Sequence, residues 1–312
     1  MGRFLTSKLD ESYIAEAAQH FEEATEADPN WPSAHEALAN LYALQAFLGL
    51  RRPREVWPLV RAQAEAALQL DEMSAEAHIA LGMVNAFFEW RWRDAEVHFQ
   101  KAIDRDSYSA SGHLWRAVAC LLPMGKMAEA QEELGKVQDL SRPPFTDEAR
   151  ALTLFFSGRF DEIATQSGQG TWFPGLFGCA LAADGRTAEA IEMLERLRAQ
   201  HPGRSRIIAN LGYVYGITGK ADAACEMLAA LRERRMAGHW VPNYDLAIVE
   251  AGLGDQNEVL AMLQEALREK EPFLAFLAVD PRLSSVRDLP KFTGILRRVV
   301  LTENEESREQ TA

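Results

Sequence analysis

Small and apolar residues recur along this chain at an interval of 34 positions. Within each interval they lie three, four or seven residues apart, which places them on one face of an α-helix. No alternation of apolar and polar residues, as in a half-buried strand, competes with this spacing. The pattern therefore predicts an all-α fold of repeated helical hairpins. It is clearest where Gly178, Gly185, Ala190, Leu194 and Leu197 return as Gly212, Gly219, Ala224, Leu228 and Leu231.

Glycine and proline mark the predicted ends of these helices. Glycine accepts the left-handed backbone conformation in which many helices end, and proline stops a helix because it lacks an N–H. Pro29 and Pro202 close the second helix of their units. Small residues inside the first helices allow a neighbouring helix to approach closely. The predicted turn residues are Gly125, Gly158, Gly185, Gly219 and Gly254, and the small positions are Ala39, Gly82, Gly178, Gly212 and Ala247.

This unit resembles the tetratricopeptide repeat, a 34-residue helix–turn–helix. The resemblance covers roughly residues 11–272 in about eight units. It implies a right-handed α-solenoid over residues 1–301, with an insertion near 49–58 and an irregular fifth unit near 158–171. Residues 280–301 are predicted to form a C-terminal cap, whose last helix covers the end of the array. Residues 302–312 are predicted to be an acidic disordered tail.

Two segments carry a narrower resemblance. Residues 89–96 (EWRWRDAE) and the Asp280-Pro281-Arg282 segment are similar to repeat regions of bacterial signalling proteins and transcription regulators. In that family the repeats lie C-terminal to a winged-helix DNA-binding domain, a serine/threonine kinase or a nucleotide cyclase. None of these output domains is present in the sequence. The resemblance implies a bacterial origin and a repeat array that ends close to residue 300.

Composition and charge narrow the classes of partner. The 312 residues are 47% hydrophobic and 25% charged, which is typical of a globular protein. The net charge of −13 disfavours binding to nucleic acid or to an anionic membrane surface. No stretch reaches 18 consecutive apolar residues, and the first residues do not resemble a secretory signal. With only three scattered cysteines, we expect a cytoplasmic protein with reduced thiols.

Candidate chemistry is sparse. The sequence contains no phosphate-binding GxxxxGK[ST] loop, no HExxH and no GxSxG. His35, His78 and His113 occupy similar places in successive units, where helix spacing of roughly 10 Å exceeds the reach of a shared metal. Paired carboxylates such as Glu132-Glu133 are interpreted as solvated helix faces. We therefore predict no metal, no cofactor and no enzymatic activity.

The predicted binding surface is the concave groove lined by the first helices. Inward-facing side chains there suit a peptide or helix with apolar anchors. Tyr213 and Tyr244 are favoured because a hydroxyl requires a wet end, whereas core packing is an equal alternative for Phe87. Asn40, Arg206 and Asn210 match fragments of the peptide clamp that the tetratricopeptide resemblance implies, without completing it. The candidate partner-binding residues are Asn40, Phe87, Trp172, Arg206, Asn210, Tyr213 and Tyr244.

Three functions compete at this point. The first is a non-catalytic scaffold that binds a peptide or helix of a partner protein in its concave groove. The second is the sensory or regulatory repeat region of a bacterial signalling protein, separated from its output domain. The third is an enzyme built on a helical-repeat scaffold, since a fold does not settle a function. A homodimer formed through an exposed apolar groove is also left open.

Overall fold

Helical hairpins follow one another along the chain in a computed structural model that describes residues 11–105, 110–138, 145–164 and 174–300. Within these ranges the regular structure is helical, with no strand. The chain divides into two compact units. Of the described residues, the first unit takes those up to Ala149 together with Val300, and the second unit takes those from Arg150 to Val299. The predicted site residue Trp172 and the predicted tail, residues 302–312, lie outside the described residues.

In its described residues the first unit holds three helical hairpins preceded by a single helix. Each helix packs against the next, and first helices of consecutive hairpins also pack against each other. The first helices α4 and α6 both continue into a short π-helical turn, Asn85–Glu89 and Ala117–Leu121. The helices are α1 Glu11–Ala27, α2 Pro32–Phe47, α3 Pro53–Leu70, α4 Ala75–Val84, α5 Trp92–Arg105, α6 Ala110–Arg116, α7 Met127–Gln138 and α8 Thr146–Phe156, which crosses into the second unit.

The second unit repeats the arrangement and ends in irregular helical turns. Two 3₁₀ turns, Pro272–Phe276 and Pro281–Val286, follow its last hairpin. The first helices α10, α12 and α14 pack successively against one another. The helices are α9 Phe160–Ala164, α10 Pro174–Ala183, α11 Thr187–Gln200, α12 Ser205–Ile217, α13 Ala221–Met236, α14 Asn243–Leu253, α15 Gln256–Glu269 and α16 Pro290–Val300.

Glycine is found both at the turns between helices and at close contacts between helices, as the sequence predicts. The five predicted turn glycines all have positive φ, from 71° to 83°. Inside the helices, a Cβ on Gly82 would lie 2.7 Å from the ring of Phe99, and a Cβ on Gly212 would lie 2.9 Å from Val249. Neither position has room for a side chain without movement of its neighbour. The predicted all-α helical-repeat fold is confirmed.

No helix in the described part of the chain combines the length and apolar character needed to cross a membrane.

Candidate functional site

The segment that follows the last hairpin, Pro272–Val286, lies on the first helices of the second unit. We call it the return segment. Its Phe276 ring stacks on Phe156 of α8, with centroids 4.9 Å apart. Its Phe273 ring lies 5.8 Å from the Tyr244 ring of α14 and beneath the Arg206 guanidinium of α12, 3.7 Å away. Since α14 is covered in this way, all of residues 243–251 are buried.

Asp280 and Arg282 form a buried ion pair at the centre of the return segment. The Arg282 Nε and Nη2 atoms donate to the two carboxylate oxygens of Asp280, at 3.0 and 2.5 Å. The Tyr244 hydroxyl donates to Asp280 Oδ2 at 2.7 Å, and the Arg282 backbone N–H donates to Oδ1 at 2.9 Å. The two parallel Arg282–Asp280 bonds and these extra donors offset the free-energy cost of removing both charges from water.

Asn210 joins this ion pair to α12. Its Oδ1 accepts from Arg282 Nη1 at 2.7 Å and from the Cys179 thiol of α10 at 3.3 Å. A Cβ on Gly175 would overlap the Asn210 amide, so glycine at that position is what lets the amide reach the pair. Among the described residues, Asn210 Nδ2 has no hydrogen-bond partner. We call Asn210, Tyr244, Asp280 and Arg282 the polar core of the second unit.

Two more carboxylates secure the surrounding helices. Arg206 Nε donates to Asp245 Oδ1 at 3.1 Å, which connects α12 to α14. Glu271 accepts from the backbone N–H groups of Asn243 and Tyr244, at 2.7 and 2.9 Å, and therefore caps the first turn of α14. The return segment is held at its start by this cap and at its centre by the polar core.

Burial shifts the pKa values of the groups around the polar core. Burial raises the pKa of the Cys179 thiol to about 12 and that of the Tyr244 hydroxyl well above its ordinary value. Burial opposes the charge on Arg282, yet the Asp280 carboxylate raises the Arg282 pKa above its ordinary value. Burial also raises the pKa of Glu271 to about 7, although its three N–H donors act in the other direction. The Cys179 thiol therefore stays protonated at neutral pH and is a poor nucleophile.

Three of the seven predicted partner-binding residues, Arg206, Asn210 and Tyr244, are brought together here. Asn210 and Tyr244 have only 1% of their surface exposed. They form part of the core instead of a groove surface, because the return segment covers them. The expectation that the Tyr244 hydroxyl meets water is wrong, since that hydroxyl donates to buried Asp280. Arg206 and Tyr213 are half-buried and lie at the edge of the covered area.

In the first unit the two predicted residues, Phe87 and Asn40, differ in burial. Phe87 is fully buried, with ring centroids of Phe47 and Trp57 4.7 and 6.3 Å away, so it is also a core residue. Asn40 is half-buried on α2 and donates to Glu76 Oε2 at 2.8 Å. Of the two residues, Asn40 alone presents surface that a partner can reach.

The three histidines of equivalent register each contact the second helix of their own hairpin. The Nδ1 atom of His35 lies 2.6 Å from Gln63 Oε1, that of His78 lies 3.1 Å from His98 Nδ1, and that of His113 lies 2.5 Å from Glu133 Oε2. The interpretation of Glu133 as a solvated residue is wrong. It is 5% exposed, because it accepts from three basic neighbours that replace water around its carboxylate: His113, Arg116 and Lys136.

A second recurrent bond was missed by sequence reasoning. A side chain late in a first helix donates to a glutamate twenty positions earlier, on the helix that precedes it in the chain. The pairs are Tyr42 with Glu22, Arg116 with Glu96 and Tyr215 with Glu195, at 2.5, 2.9 and 2.5 Å. The fixed interval of twenty was available in the sequence as a signal, but a glutamate on an exposed helix face gives no reason to look for it.

Chemically, the polar core is suited to holding a peptide segment. The charges of Asp280 and Arg282 neutralise each other, and the thiol of neighbouring Cys179 is protonated. Within the described ranges no group of three or more His, Cys, Asp or Glu side chains is placed to hold a metal ion. Asp280 and Arg282, which carry the resemblance to bacterial signalling proteins, have a packing role in this fold. The arrangement therefore anchors one stretch of chain against the first helices.

Comparison with solved structures gives three helical-repeat proteins to which the chain is similar. YrrB, described as a TPR protein with an unusual peptide-binding site, is 19% identical over 68% of this chain and 91% of that chain, with a TM-score of 0.31. The structure of Naa15/Naa10 bound to HypK-THB matches at 12% identity over 97% of this chain and 58% of that chain, with a TM-score of 0.33. The P58(IPK) TPR domain matches at 13% identity over 96% of this chain and 98% of that chain, with a TM-score of 0.22.

The described repeats form an all-α array of helical hairpins. The helical hairpins, their glycine turns and the packing of successive first helices confirm the fold that the sequence resemblance implied. No family model and no curated protein sequence matches the chain.

Proposed function

We propose that this protein is a non-catalytic scaffold that holds a short peptide or helix of a partner protein against the first helices of its hairpins. One observation carries the proposal. The first helices of the second unit hold the return segment through Arg206, Asn210 and Tyr244, three side chains at the register where the sequence pattern expects ligand contacts. A surface that binds a segment of its own chain has the chemistry needed to bind a peptide of similar kind.

The return segment leaves only part of the first-helix surface for a partner. In the first unit, Ser33, Ala37, Asn40 and Leu44 of α2 are all half-exposed and lie three or four positions apart. This spacing places them on one face of the helix. Their mixture of an amide, a hydroxyl and aliphatic groups suits a peptide backbone with apolar side chains.

In the second unit the accessible edge lies on α12. Arg206 and Tyr213 are half-buried, and Ile217 is 46% exposed. They follow at intervals of seven and four, so they too share a face. Tyrosine and arginine at the edge of an apolar area are the residue types that most often dominate binding energy at protein interfaces.

The test is a peptide selected from a random displayed library against the whole chain, followed by titration of variants. We expect Tyr213→Ala or Asn40→Ala to weaken binding of the selected peptide about tenfold or more, the loss of roughly 1.4 kcal/mol or more. Val97→Ala is the matched control, because Val97 is 52% exposed on the second helix α5. Equal affinity of the wild type and both first-helix variants would contradict the proposal.

A further inference from the structure

A cleft of about 580 Å³ lies between the second helices α11 and α13 and the first helix α12, and no residue of the polar core lines it. The turn that joins α11 to α12 closes one end of it, through Pro202. Its floor includes Pro202 and the buried side chain of Ile208. This volume falls within the range of sites that bind small ligands or a few peptide residues.

Two arginines face this cleft without a carboxylate partner. Arg198 of α11 and Arg234 of α13 are both half-buried lining residues, and neither forms an ion pair within the described part of the chain. The Nε atom of Arg234 is removed from water and has no hydrogen-bond partner among the described residues. A buried donor left unsatisfied costs roughly 1–3 kcal/mol, so an acceptor placed there by a ligand recovers that free energy.

The glutamates of the cleft explain why Arg198 is left available. Glu195, one turn before Arg198 on α11, accepts the Tyr215 hydroxyl at 2.5 Å. Burial and this hydrogen bond raise the pKa of Tyr215 to about 12, so the hydroxyl remains a donor at neutral pH. The other glutamate, Glu233, is exposed at the margin of the cleft. Its negative charge opposes a ligand that carries two charges on one group, such as a phosphate.

We propose that this cleft binds an acidic peptide segment of a partner protein, with one carboxylate between Arg198 and Arg234 and an adjacent aliphatic side chain on Pro202 and Ile208. Arginine presents donors in a planar fork that matches a carboxylate, and the apolar floor provides burial for the neighbouring residue. The site rests on the proposed scaffold function, but none of the residues proposed above for the first-helix surface, Asn40, Arg206 and Tyr213, lines it.

The probe is a fluorescein-labelled, end-capped peptide of sequence Ala-Leu-Glu-Leu-Ala, measured by fluorescence anisotropy with the whole chain. The reference peptide carries glutamine in place of glutamate. We expect the glutamate peptide to bind at least tenfold more tightly than the glutamine peptide, and its affinity to fall as salt is raised. Inorganic phosphate at the same concentration should not displace it. Displacement by phosphate, or equal binding of the two peptides, would overturn the assignment of a carboxylate.

Variants of the chain locate the site. Arg234→Gln should lower the affinity for the glutamate peptide about tenfold or more. Arg234→Lys keeps the positive charge but loses the planar fork of donors, so its affinity should lie between those of Arg234→Gln and the wild type. Arg196→Gln is the matched control, because Arg196 lies on α11 but is 64% exposed and already paired with Glu192. Both Arg234 variants are checked for an unchanged helical circular dichroism signal.

Tyr213→Ala separates this inference from the proposed function. If the probe binds in the cleft, this first-helix variant leaves its affinity unchanged. If Tyr213→Ala abolishes binding and Arg234→Gln does not, the peptide lies on the first helices, which overturns the cleft site while supporting the scaffold function. Absence of any binding to the wild type overturns the cleft site alone, because peptides selected on the first helices are an independent measurement.

Discussion

The ion pair of Asp280 and Arg282 gives the sharpest test of how the second unit is held together. Both side chains are almost fully buried, at 0% and 3% exposure. Removing one partner leaves a buried charge without its counter-ion, which typically costs about 3–5 kcal/mol. Asp280→Asn and Arg282→Met are therefore each expected to lower the free energy of unfolding by roughly that amount.

The double variant Asp280→Asn/Arg282→Met separates the interaction between the two charges from the cost of altering either buried side chain. Replacing both residues removes both charges, so its cost should be smaller than the sum of the single costs by about 2–3 kcal/mol, the scale of coupling between residues in one polar network. The Asn210 amide then loses its Arg282 donor, which keeps the double variant less stable than the wild type. Such non-additivity is the signature of a direct interaction and not of general damage to the core.

The assay is equilibrium unfolding in urea, followed by circular dichroism at 222 nm. For each variant the dependence of the unfolding free energy on urea concentration is compared with that of the wild type, because a change in this slope signals a different unfolding reaction. Arg196→Met is the matched control, since the Arg196–Glu192 pair is of similar length, 2.7 Å, but exposed. It should alter stability by no more than about 0.5 kcal/mol. Single-variant costs below about 1 kcal/mol, or strictly additive costs in the double variant, would refute the reasoning.

Two further predictions concern α12 and α14. A Cβ on Gly216 of α12 would overlap the backbone carbonyl of Gly252 on α14, which cannot move aside, so Gly216→Ala should lower the melting temperature. As a control, Gly294→Ala on α16 should raise stability by about 1 kcal/mol, because a Cβ there would have no neighbour within 4 Å. An increase in the melting temperature of Gly216→Ala would contradict the assigned contact between α12 and α14. The Glu271 pKa, raised by burial from 4.5 to about 7, means that the folded state binds more protons between these pH values. The stability of the wild type relative to Glu271→Gln should therefore fall by about 3 kcal/mol as the pH rises from about 4.5 to 7 in urea titrations, and a difference independent of pH would count against a buried titrating carboxylate.

Some of the candidate site was accessible from the sequence. The register of the repeats led to Arg206, Asn210 and Tyr244, because equivalent positions on successive first helices face the same side. The Asp280–Arg282 segment stands out in the sequence as a pattern, but nothing in the sequence indicates that it packs on the first helices. Seventy-two positions separate Asn210 from Arg282 in the chain, and no periodicity connects an irregular segment to the repeat before it.

The features that could be predicted from the sequence are those that depend on residues close together in the chain. A helix depends on residues three and four positions apart, and a left-handed turn depends on a single residue, so the spacing of apolar residues and five glycines was enough to predict the hairpins. Burial is different, because it depends on what else covers a surface. Phe87 and Tyr244 resemble ligand-contacting aromatics as well as core aromatics until their neighbours in space are known.

Tertiary structure alone decided which face of the second unit is free. The return segment covers the part of the first helices where Asn210 and Tyr244 lie, and leaves Tyr213 and Arg206 at its edge. The packing of α11, α12 and α13 places Arg198 and Arg234 at a cleft in which Glu195 accepts the Tyr215 hydroxyl. These outcomes follow from contacts between distant parts of the chain, whose free energies depend on shape and solvent exclusion that a linear pattern does not encode.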